Sequence, residues 1–232
     1  MSVNTVVEHV LYINLNERTD RRKEILAELT KLNLLSKADR FNAIKTPNGR
    51  IGCSLSHLKC LQLAKERQYK NVLIVEDDAL FINIPLLQTQ FATAWQDIMA
   101  QGQEQRQEQE PSSSHWDVII FAGNNIPPYV KKSNAHIQVS RCQTSACYLV
   151  NATYYDTLIK NLKDGVAQLM KFPEKHSLYA LDRYWFSIQQ RDRWYLITPM
   201  TVIQRPGYSD IEKCKTNYTN LMLDLDKKYL FK

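Results

Sequence analysis

Residues 69–78 have the sequence Tyr-Lys-Asn-Val-Leu-Ile-Val-Glu-Asp-Asp, in which a short apolar run ends directly on three acids. The run has the length of a strand and lacks the alternation of a half-exposed one. This is typical of a strand that is buried on both faces of a parallel sheet. The stretch therefore predicts a central strand over 69–75, whose carboxyl end carries Glu76, Asp77 and Asp78.

Strand-like and helix-like patterns alternate on both sides of this strand. Further strands are predicted at 6–15, 41–44, 116–122, 146–150 and 194–198. Helices are predicted after the caps Asp20, Ser54 and Asn151, the last one ending at 164–165, and also over 86–98 and 177–190. This alternation predicts an α/β fold with a mostly parallel sheet and flanking helices, in a single domain over 1–232.

The composition is that of a globular protein, and it limits the partners. No stretch approaches the ~20 apolar residues of a membrane span, and the start of the chain does not have the layout of a signal peptide, which favours a cytoplasmic protein. The formal net charge of +6 admits nucleic acid, an anionic surface or a small phosphorylated substrate. The basic residues are dispersed, which disfavours nucleic acid. Peripheral contact with a membrane and the oligomeric state stay open.

The cysteines favour a reducing compartment. The chain has five, an odd number, and none of them forms a Cys-x-x-Cys pair. Neither a disulfide framework nor a structural zinc site is therefore predicted.

Residues 101–114 interrupt the alternation of strands and helices. The segment is rich in Gln and Glu, has almost no apolar side chains and ends in Pro-Ser-Ser-Ser. Because such a segment has little to bury, it predicts a flexible, solvated insertion, either an exposed loop or a frayed helix end, rather than a functional lid.

The three acids after the central strand carry the strongest chemical signal. Ligands of open parallel sheets collect outside the carboxyl ends of the strands. Three carboxylates at that place repel one another, and a divalent cation of the Mg²⁺ or Mn²⁺ type, which also takes phosphate oxygens, relieves the repulsion. The pattern favours a metal site at Glu76, Asp77 and Asp78 over a polar strand end that only faces solvent.

Positive charge follows the first predicted strand at the same edge of the sheet. Arg18, Arg21 and Arg22 are candidates for binding phosphate oxygens, although they are equally compatible with a solvated first helical turn. The chain has neither a P-loop motif nor a Gly-x-Gly-x-x-Gly motif after a strand. This argues against a P-loop kinase or ATPase and against a dinucleotide redox enzyme.

Other polar residues have both functional and structural interpretations. The segment 49–57 combines two glycines with the start of a helix, a place where an anion or polar ligand binds, and His57 there is a donor, a base or a capping residue. A catalytic pair of Cys53 and His57 is disfavoured, because four-residue spacing on one helix seldom presents a nucleophile to its base. Asp182 and Asp210 are candidate general bases, or local ion-pair or capping residues.

Several of these motifs recur in a fixed order over nearly the whole chain and together resemble glycosyltransferase family 25. This family includes lipooligosaccharide galactosyltransferases and procollagen galactosyltransferase domains. The motifs are Tyr12-Ile13-Asn14-Leu15 with Arg18 and Asp20-Arg21, then 41–44, Gly52-Cys53, Leu55-Ser56-His57, 73–79 with the three acids, and weaker matches at 116–119, 146–149, Asp182 and 204–211. The insertion at 101–114 is not part of the family pattern.

The resemblance implies a GT-A-like fold with a Rossmann-type sheet, a UDP-galactose or UDP-glucose donor and inversion at the anomeric carbon. It implies a glycan or glycoprotein acceptor, as in lipopolysaccharide biosynthesis, and Mn²⁺ or Mg²⁺ held by Glu76, Asp77 and Asp78 as a DXD-like motif. It further implies that Asp182 is a catalytic or acceptor-contacting acid, with Asp210 as the second candidate for a catalytic acid. The residues that it places at the donor nucleotide are Asn14, Leu15, Arg18, Arg21, Gly52, Ser56, His57 and Asp77.

Three other functions compete with this hypothesis. A metal-dependent phosphoesterase or nucleotidyltransferase also places acids at a strand end, but usually requires more ligands. A non-catalytic module that binds nucleotide sugars is disfavoured by the complete acid cluster. A nucleic-acid binder is the most distant alternative.

Overall fold

The fold centres on an eight-stranded sheet in the described part of the chain, which is residues 1–105, with side chains to residue 100, and residues 115–228 of a computed structural model. The strands are β1 (His9–Asn14), β2 (Ala38–Asn42), β3 (Asn71–Glu76), β4 (Ala79–Phe81), β5 (Val118–Asn125), β6 (Tyr129–Lys131), β7 (His136–Val139), β8 (Cys142–Asn151), β9 (Trp194–Ile197), β10 (Val202–Gln204), β11 (Gly207–Ser209) and β12 (Cys214–Thr216). The α-helices are α1 (Val3–Val6), α2 (Thr19–Lys31), α3 (Gly49–Glu66), α4 (Ile84–Gln105), α5 (Tyr155–Lys171), α6 (His176–Tyr179), α7 (Leu181–Tyr184), α8 (Phe186–Gln189) and α9 (Thr219–Leu223).

The order of strands in the sheet is β2-β1-β3-β8-β5-β9-β7-β6, and β4 with β10 and β11 with β12 form two small ribbons. Strands β7 and β8 run opposite to the other six. Parallel neighbours in a sheet are usually joined by a crossover helix. The chain between β5 and β8 contains β6 and β7 but no helix, and β8 runs antiparallel to both of its neighbours. The predicted α/β fold with a largely parallel sheet and flanking helices is confirmed, as a mixed sheet.

The central strand of this sheet is β3, which the apolar run predicts. It pairs in parallel with β1 on one side and antiparallel with β8 on the other. The four residues of its apolar run, 72–75, are each at most 1% exposed. Because Ile13 lies opposite Glu76 in the β1–β3 register, the carboxyl ends of both strands meet at one edge. This edge brings Asn14 next to the acids.

Several helix boundaries differ from the prediction, among them the start of α2 at Thr19, which places the predicted cap Asp20 inside the first turn. Helix α3 begins at Gly49, where Asn48 caps the backbone N–H of Arg50, and the predicted cap Ser54 lies inside the helix. Helix α5 continues past 164–165, because Gly165 is where the helix packs on Tyr184, whose ring would lie 2.9 Å from an added Cβ. The single helix predicted over 177–190 is divided among α6, α7 and α8.

Helix α4 extends to Gln105 and so enters the predicted insertion at 101–114. Residues 106–114 of that insertion lie outside the described residues. Within the described ranges, no helix combines the length and the apolar character that crossing a membrane requires.

Candidate active site

Two cavities adjoin at the carboxyl edge of β3. The first, called here the β1 cavity, has a volume of about 310 Å³ and is walled by the end of β1, segment 43–49 and the three acids. The second, the β8 cavity, has a volume of about 420 Å³ and is walled by the start of β8 and by α6 and α7. The residues that line both cavities are Cys53, Glu76, Gln204, Ser209 and Ile211. Glu76 is thus the carboxylate at the junction.

Polar neighbours hold Glu76 in place. The Ser145 hydroxyl donates to Glu76 Oε1 at 2.5 Å, and His57 Nε2 lies 3.3 Å from the same oxygen. Burial works against ionisation of this carboxyl, but the adjacent His57 and Ser145 side chains hold its pKa below the ordinary value. Glu76 is therefore ionised at neutral pH and is fixed toward the junction.

Asp77 has both carboxylate oxygens occupied. Asn14 Nδ2 donates to Oδ2 at 2.7 Å, and Arg21 Nη1 donates to Oδ1 at 3.2 Å. Burial raises the pKa of Asp77, and these two donors oppose that rise. The acid therefore anchors the end of β1 and the first turn of α2 to the site.

Asp78 has one oxygen without a partner. Its Oδ2 accepts from Gln204 Nε2 at 2.9 Å and lies 3.5 Å from Arg21 Nη1, whereas its Oδ1 is buried and makes no hydrogen bond. Burial, together with the negative charge of Glu76, raises the pKa of Asp78 to about 7. A buried, unpartnered carboxylate oxygen is a suitable ligand for a hard divalent cation.

These opposite pKa directions predict opposite effects on stability. The pKa of Asp78 rises on folding from 3.8 to about 7, so its contribution to stability is lost as the pH rises through that interval. We expect Asp78→Asn to change the Tm of the cation-free protein more favourably at pH 8 than at pH 5. The difference is expected to be about 2–4 °C for each kcal/mol of stability that the wild type loses between the two pH values. Thermal melts at the two pH values measure this.

Glu76→Gln is the matched control for these melts. Because the pKa of Glu76 is lowered in the fold, its carboxylate stabilises the protein at both pH values, and this variant is expected to lose nearly the same stability at pH 5 and at pH 8. Equal Tm changes at both pH values for Asp78→Asn would contradict the raised pKa of Asp78 in the folded protein.

The arginines after β1 take different positions. Arg21 lines the β1 cavity, where its guanidinium lies between the acids and also donates to the Tyr208 carbonyl. Arg18 is held between Asp20, at 2.9 Å, and Asp210, at 2.6 Å. Arg22 is exposed on α2. Arg21 is therefore the arginine of this group that faces the cavity.

The other residues predicted at the donor nucleotide divide into two groups. Asn14, Leu15, Ser56 and His57 line the β1 cavity together with Arg21 and Asp77. Gly52 instead faces the protein, since an added Cβ would lie 2.4 Å from the Ile44 carbonyl oxygen. The Ser56 hydroxyl accepts from Ile44 N at 2.8 Å and donates to Gly52 O at 2.7 Å. Gly52 and Ser56 thus hold α3 against segment 43–46, which forms a wall of the cavity.

The two predicted catalytic acids lie in different cavities. Asp182 lies in the β8 cavity, where its Oδ2 accepts the backbone N–H of Thr144 at 3.1 Å, and burial raises its pKa. Asp210 lies in the β1 cavity, is about two-fifths exposed and pairs with Arg18. Thr144 has a φ of 76°, a left-handed conformation that is uncommon for threonine. This turn of the backbone presents the N–H that holds Asp182.

The sequence hypothesis missed two residues that contact the acids. Ser145 bonds Glu76 from the start of β8, four residues into a strand that begins earlier than predicted. Gln204 bonds Asp78 and lines both cavities, and its only signal is its place in the weak 204–211 motif. Neither contact has a local sequence pattern, because each joins segments that are far apart in the chain.

Comparison with known protein families defines the class of this protein. The family described as glycosyltransferase family 25 (LPS biosynthesis protein) matches residues 45–170, which include the three acids. The matched segment is over half of the chain. The chain is thus a glycosyltransferase. It belongs to glycosyltransferase family 25, as its sequence motifs predict.

Solved structures give similarities of low degree. A glycosyltransferase involved in the glycosylation of the major capsid of PBCV-1 is 11% identical with a TM-score of 0.43, over 93% of this chain and 88% of that chain. A mannose-1-phosphate geranyltransferase from Thermus thermophilus is 7% identical with a TM-score of 0.43, over 86% and 74%. A variant of Drosophila β1,4-galactosyltransferase 7, in complex with manganese, UDP-Gal and xylobiose, is 14% identical with a TM-score of 0.34, over 66% and 52%. The search of curated proteins gives no match.

Proposed function

We propose that this family 25 glycosyltransferase moves a hexose, galactose or glucose, from a UDP-sugar to a hydroxyl of a glycan or glycoprotein acceptor, with inversion at the anomeric carbon. The main support for this proposal is that two adjoining cavities share Glu76. The β1 cavity is also lined by Arg21 and the other two acids, and the β8 cavity by Asp182. We assign the donor to the β1 cavity and the acceptor to the β8 cavity. The chain 1–232 acts in this proposal as one domain.

The donor assignment is supported by charge. Arg21 faces the β1 cavity and is suited to the diphosphate oxygens, while Asn14, Leu15 and His57 line the wall beside it. Arg18, Gly52, Ser56 and Asp210 contribute by shaping that wall. Asp77 fixes Asn14 and Arg21 in place.

The residues at the strand end fit Mn²⁺ or Mg²⁺. Asp78 would hold the cation through its unpartnered Oδ1, with Glu76 and Asp77 supplying the surrounding negative charge. When bound, such a cation offsets the charge that develops on a leaving diphosphate. Gln204 orients Asp78 by bonding its other oxygen.

The acceptor hydroxyl requires a base on the side opposite to the leaving group. Asp182 fits this role, because it lies in the β8 cavity and burial raises its pKa, which makes it a better proton acceptor than an ordinary aspartate. Glu76 fits the role less well because its pKa is lowered, and Asp210 because its charge is neutralised by Arg18. Asp182 would accept the proton as the hydroxyl oxygen attacks the anomeric carbon and the UDP departs.

Family membership sets aside the alternative of a phosphoesterase or nucleotidyltransferase. A module that binds a nucleotide sugar without transfer is the alternative that an assay must exclude. The expected cytoplasmic localisation belongs to this proposal and is supported by five free cysteines.

The proposal predicts UDP release that depends on an acceptor. The full chain is incubated with Mn²⁺, with UDP-galactose or UDP-glucose and with a panel of glycans and glycopeptides, and released UDP is measured. We expect release above the rate without acceptor for one donor, and an inverted anomeric configuration in the product by NMR. UDP binding without turnover over the whole panel would favour the non-catalytic module. A retained configuration would contradict the single-base mechanism.

A further inference from the structure

Three side chains at the junction of the cavities bring a sulfur, a nitrogen and an oxygen together. Cys53 and His57 lie one turn apart on the same face of α3, and Glu76 faces them from the end of β3. One ligand atom of each residue lies within 4.8 Å of the other two. The sequence disfavours Cys53 and His57 as nucleophile and base, but the fold adds a third ligand that the spacing alone did not reveal.

The His57 imidazole is oriented for this cluster. Its side chain is 0% exposed, and Nδ1 lies 2.8 Å from the Tyr148 hydroxyl. Its Nε2 makes no hydrogen bond of normal geometry, and Glu76 Oε1 is 3.3 Å away. With its proton on Nδ1, donated to the Tyr148 hydroxyl, His57 would have the Nε2 lone pair available as a ligand when a cation takes the place of the direct contact between Nε2 and Glu76. Histidines that bind metals are commonly oriented by such an outer partner.

We propose that the chain binds one thiophilic divalent cation, of the Zn²⁺ class, through Cys53 Sγ, His57 Nε2 and a Glu76 carboxylate oxygen. Thiolate, imidazole and carboxylate are the ligands that Zn²⁺ takes, and three protein ligands leave a fourth position open. The Cys53 thiol releases its proton to solvent as the bond to the cation forms. This site differs in chemistry from Asp78, whose hard oxygen suits Mn²⁺ or Mg²⁺.

A cation bound by Cys53, His57 and Glu76 would affect sugar transfer, an expectation that rests on the proposed function. Cys53 and Glu76 line both cavities, so a cation bound to them lies where donor and acceptor must meet. Zn²⁺ is therefore an inhibitor of transfer that added Mn²⁺ does not relieve. The binding itself requires no donor or acceptor, so its failure is distinguishable from failure of the proposed function.

Co²⁺ titration of the full chain, without nucleotide, tests the binding. We expect one equivalent to give a near-ultraviolet sulfur-to-cobalt charge-transfer band and intense visible bands of a tetrahedral site. Zn²⁺ is expected to displace the Co²⁺, whereas Mn²⁺, the weakest binder of the divalent series, is not. Cys53→Ser is expected to lose the charge-transfer band, and Cys214→Ser, at an exposed cysteine outside the cluster, is expected to keep it.

A second variant keeps the test decisive if Cys53→Ser does not fold. Tyr148→Phe removes one hydroxyl and is expected to weaken Co²⁺ binding about 10–100-fold, the usual effect of losing an outer-shell partner. Circular dichroism without metal verifies the fold of each variant. The proposal is overturned if the wild type gives no sulfur-to-cobalt band, if a folded Cys53→Ser variant keeps it, or if Tyr148→Phe binds Co²⁺ as tightly as the wild type.

Discussion

Replacing Asp182 with asparagine is expected to lower kcat by about 10²–10⁴-fold, the range for loss of a general base, while the KM for the UDP-sugar changes little. The asparagine keeps the size of the side chain and can still accept the Thr144 N–H, but it cannot take a proton from the acceptor hydroxyl. Because burial raises the pKa of Asp182, wild-type kcat should decline with falling pH earlier than for an ordinary aspartate. The variant should lose that dependence.

Asp210→Asn is the matched control for this experiment. Asp210 faces the β1 cavity and pairs with Arg18 at 2.6 Å, so its loss is expected to raise the KM for the donor more than it lowers kcat. Steady-state kinetics over a range of pH values separates the two acids. An unchanged kcat in Asp182→Asn, or an equal fall in kcat for both variants, would remove Asp182 from the role of base.

Asp78→Asn is expected to reduce Mn²⁺-dependent transfer by about 10²–10³-fold, the scale of losing a group that stabilises charge at a reacting centre. The amide keeps one oxygen for Gln204 but no longer offers an anionic oxygen to a cation. The same variant is expected to gain stability at pH 8, so loss of activity and gain of stability should coincide. Such a combination is typical of a residue kept for function at the cost of stability.

The dependence on Mn²⁺ is the measurement for this variant. Initial rates are determined over a range of Mn²⁺ concentrations for the wild type and for Asp78→Asn, and circular dichroism verifies that both are folded. Turnover like that of the wild type, with the same Mn²⁺ dependence, would show that the cation does not act through Asp78.

The sequence predicts the central strand and its acids well, because a short, continuous run of apolar side chains is removed from water on both faces when it forms an interior strand of a sheet. It predicts helix ends less well. The sequence pattern predicts that the helix ends at Gly165. The helix continues, and the absence of a side chain at Gly165 instead allows close packing against Tyr184. A contact between segments that are distant in the chain has no local sequence pattern.

The different roles of the three acids were likewise not predictable. The acids are neighbours in sequence, but each has a different partner, because Asn14, Ser145 and Gln204 come from three separate strands. The placement of Asp182 and Asp210 in different cavities has the same origin. Assigning a role to each acid requires the tertiary contacts.

The proposed function depends most on Asp78 as the cation ligand beside a bound diphosphate. Anomalous diffraction from crystals grown with Mn²⁺ and UDP tests this directly. We expect a manganese peak bonded to Asp78 Oδ1, with the UDP phosphates between it and Arg21 in the β1 cavity. A strand end without manganese, while UDP occupies another cleft, would contradict the central claim.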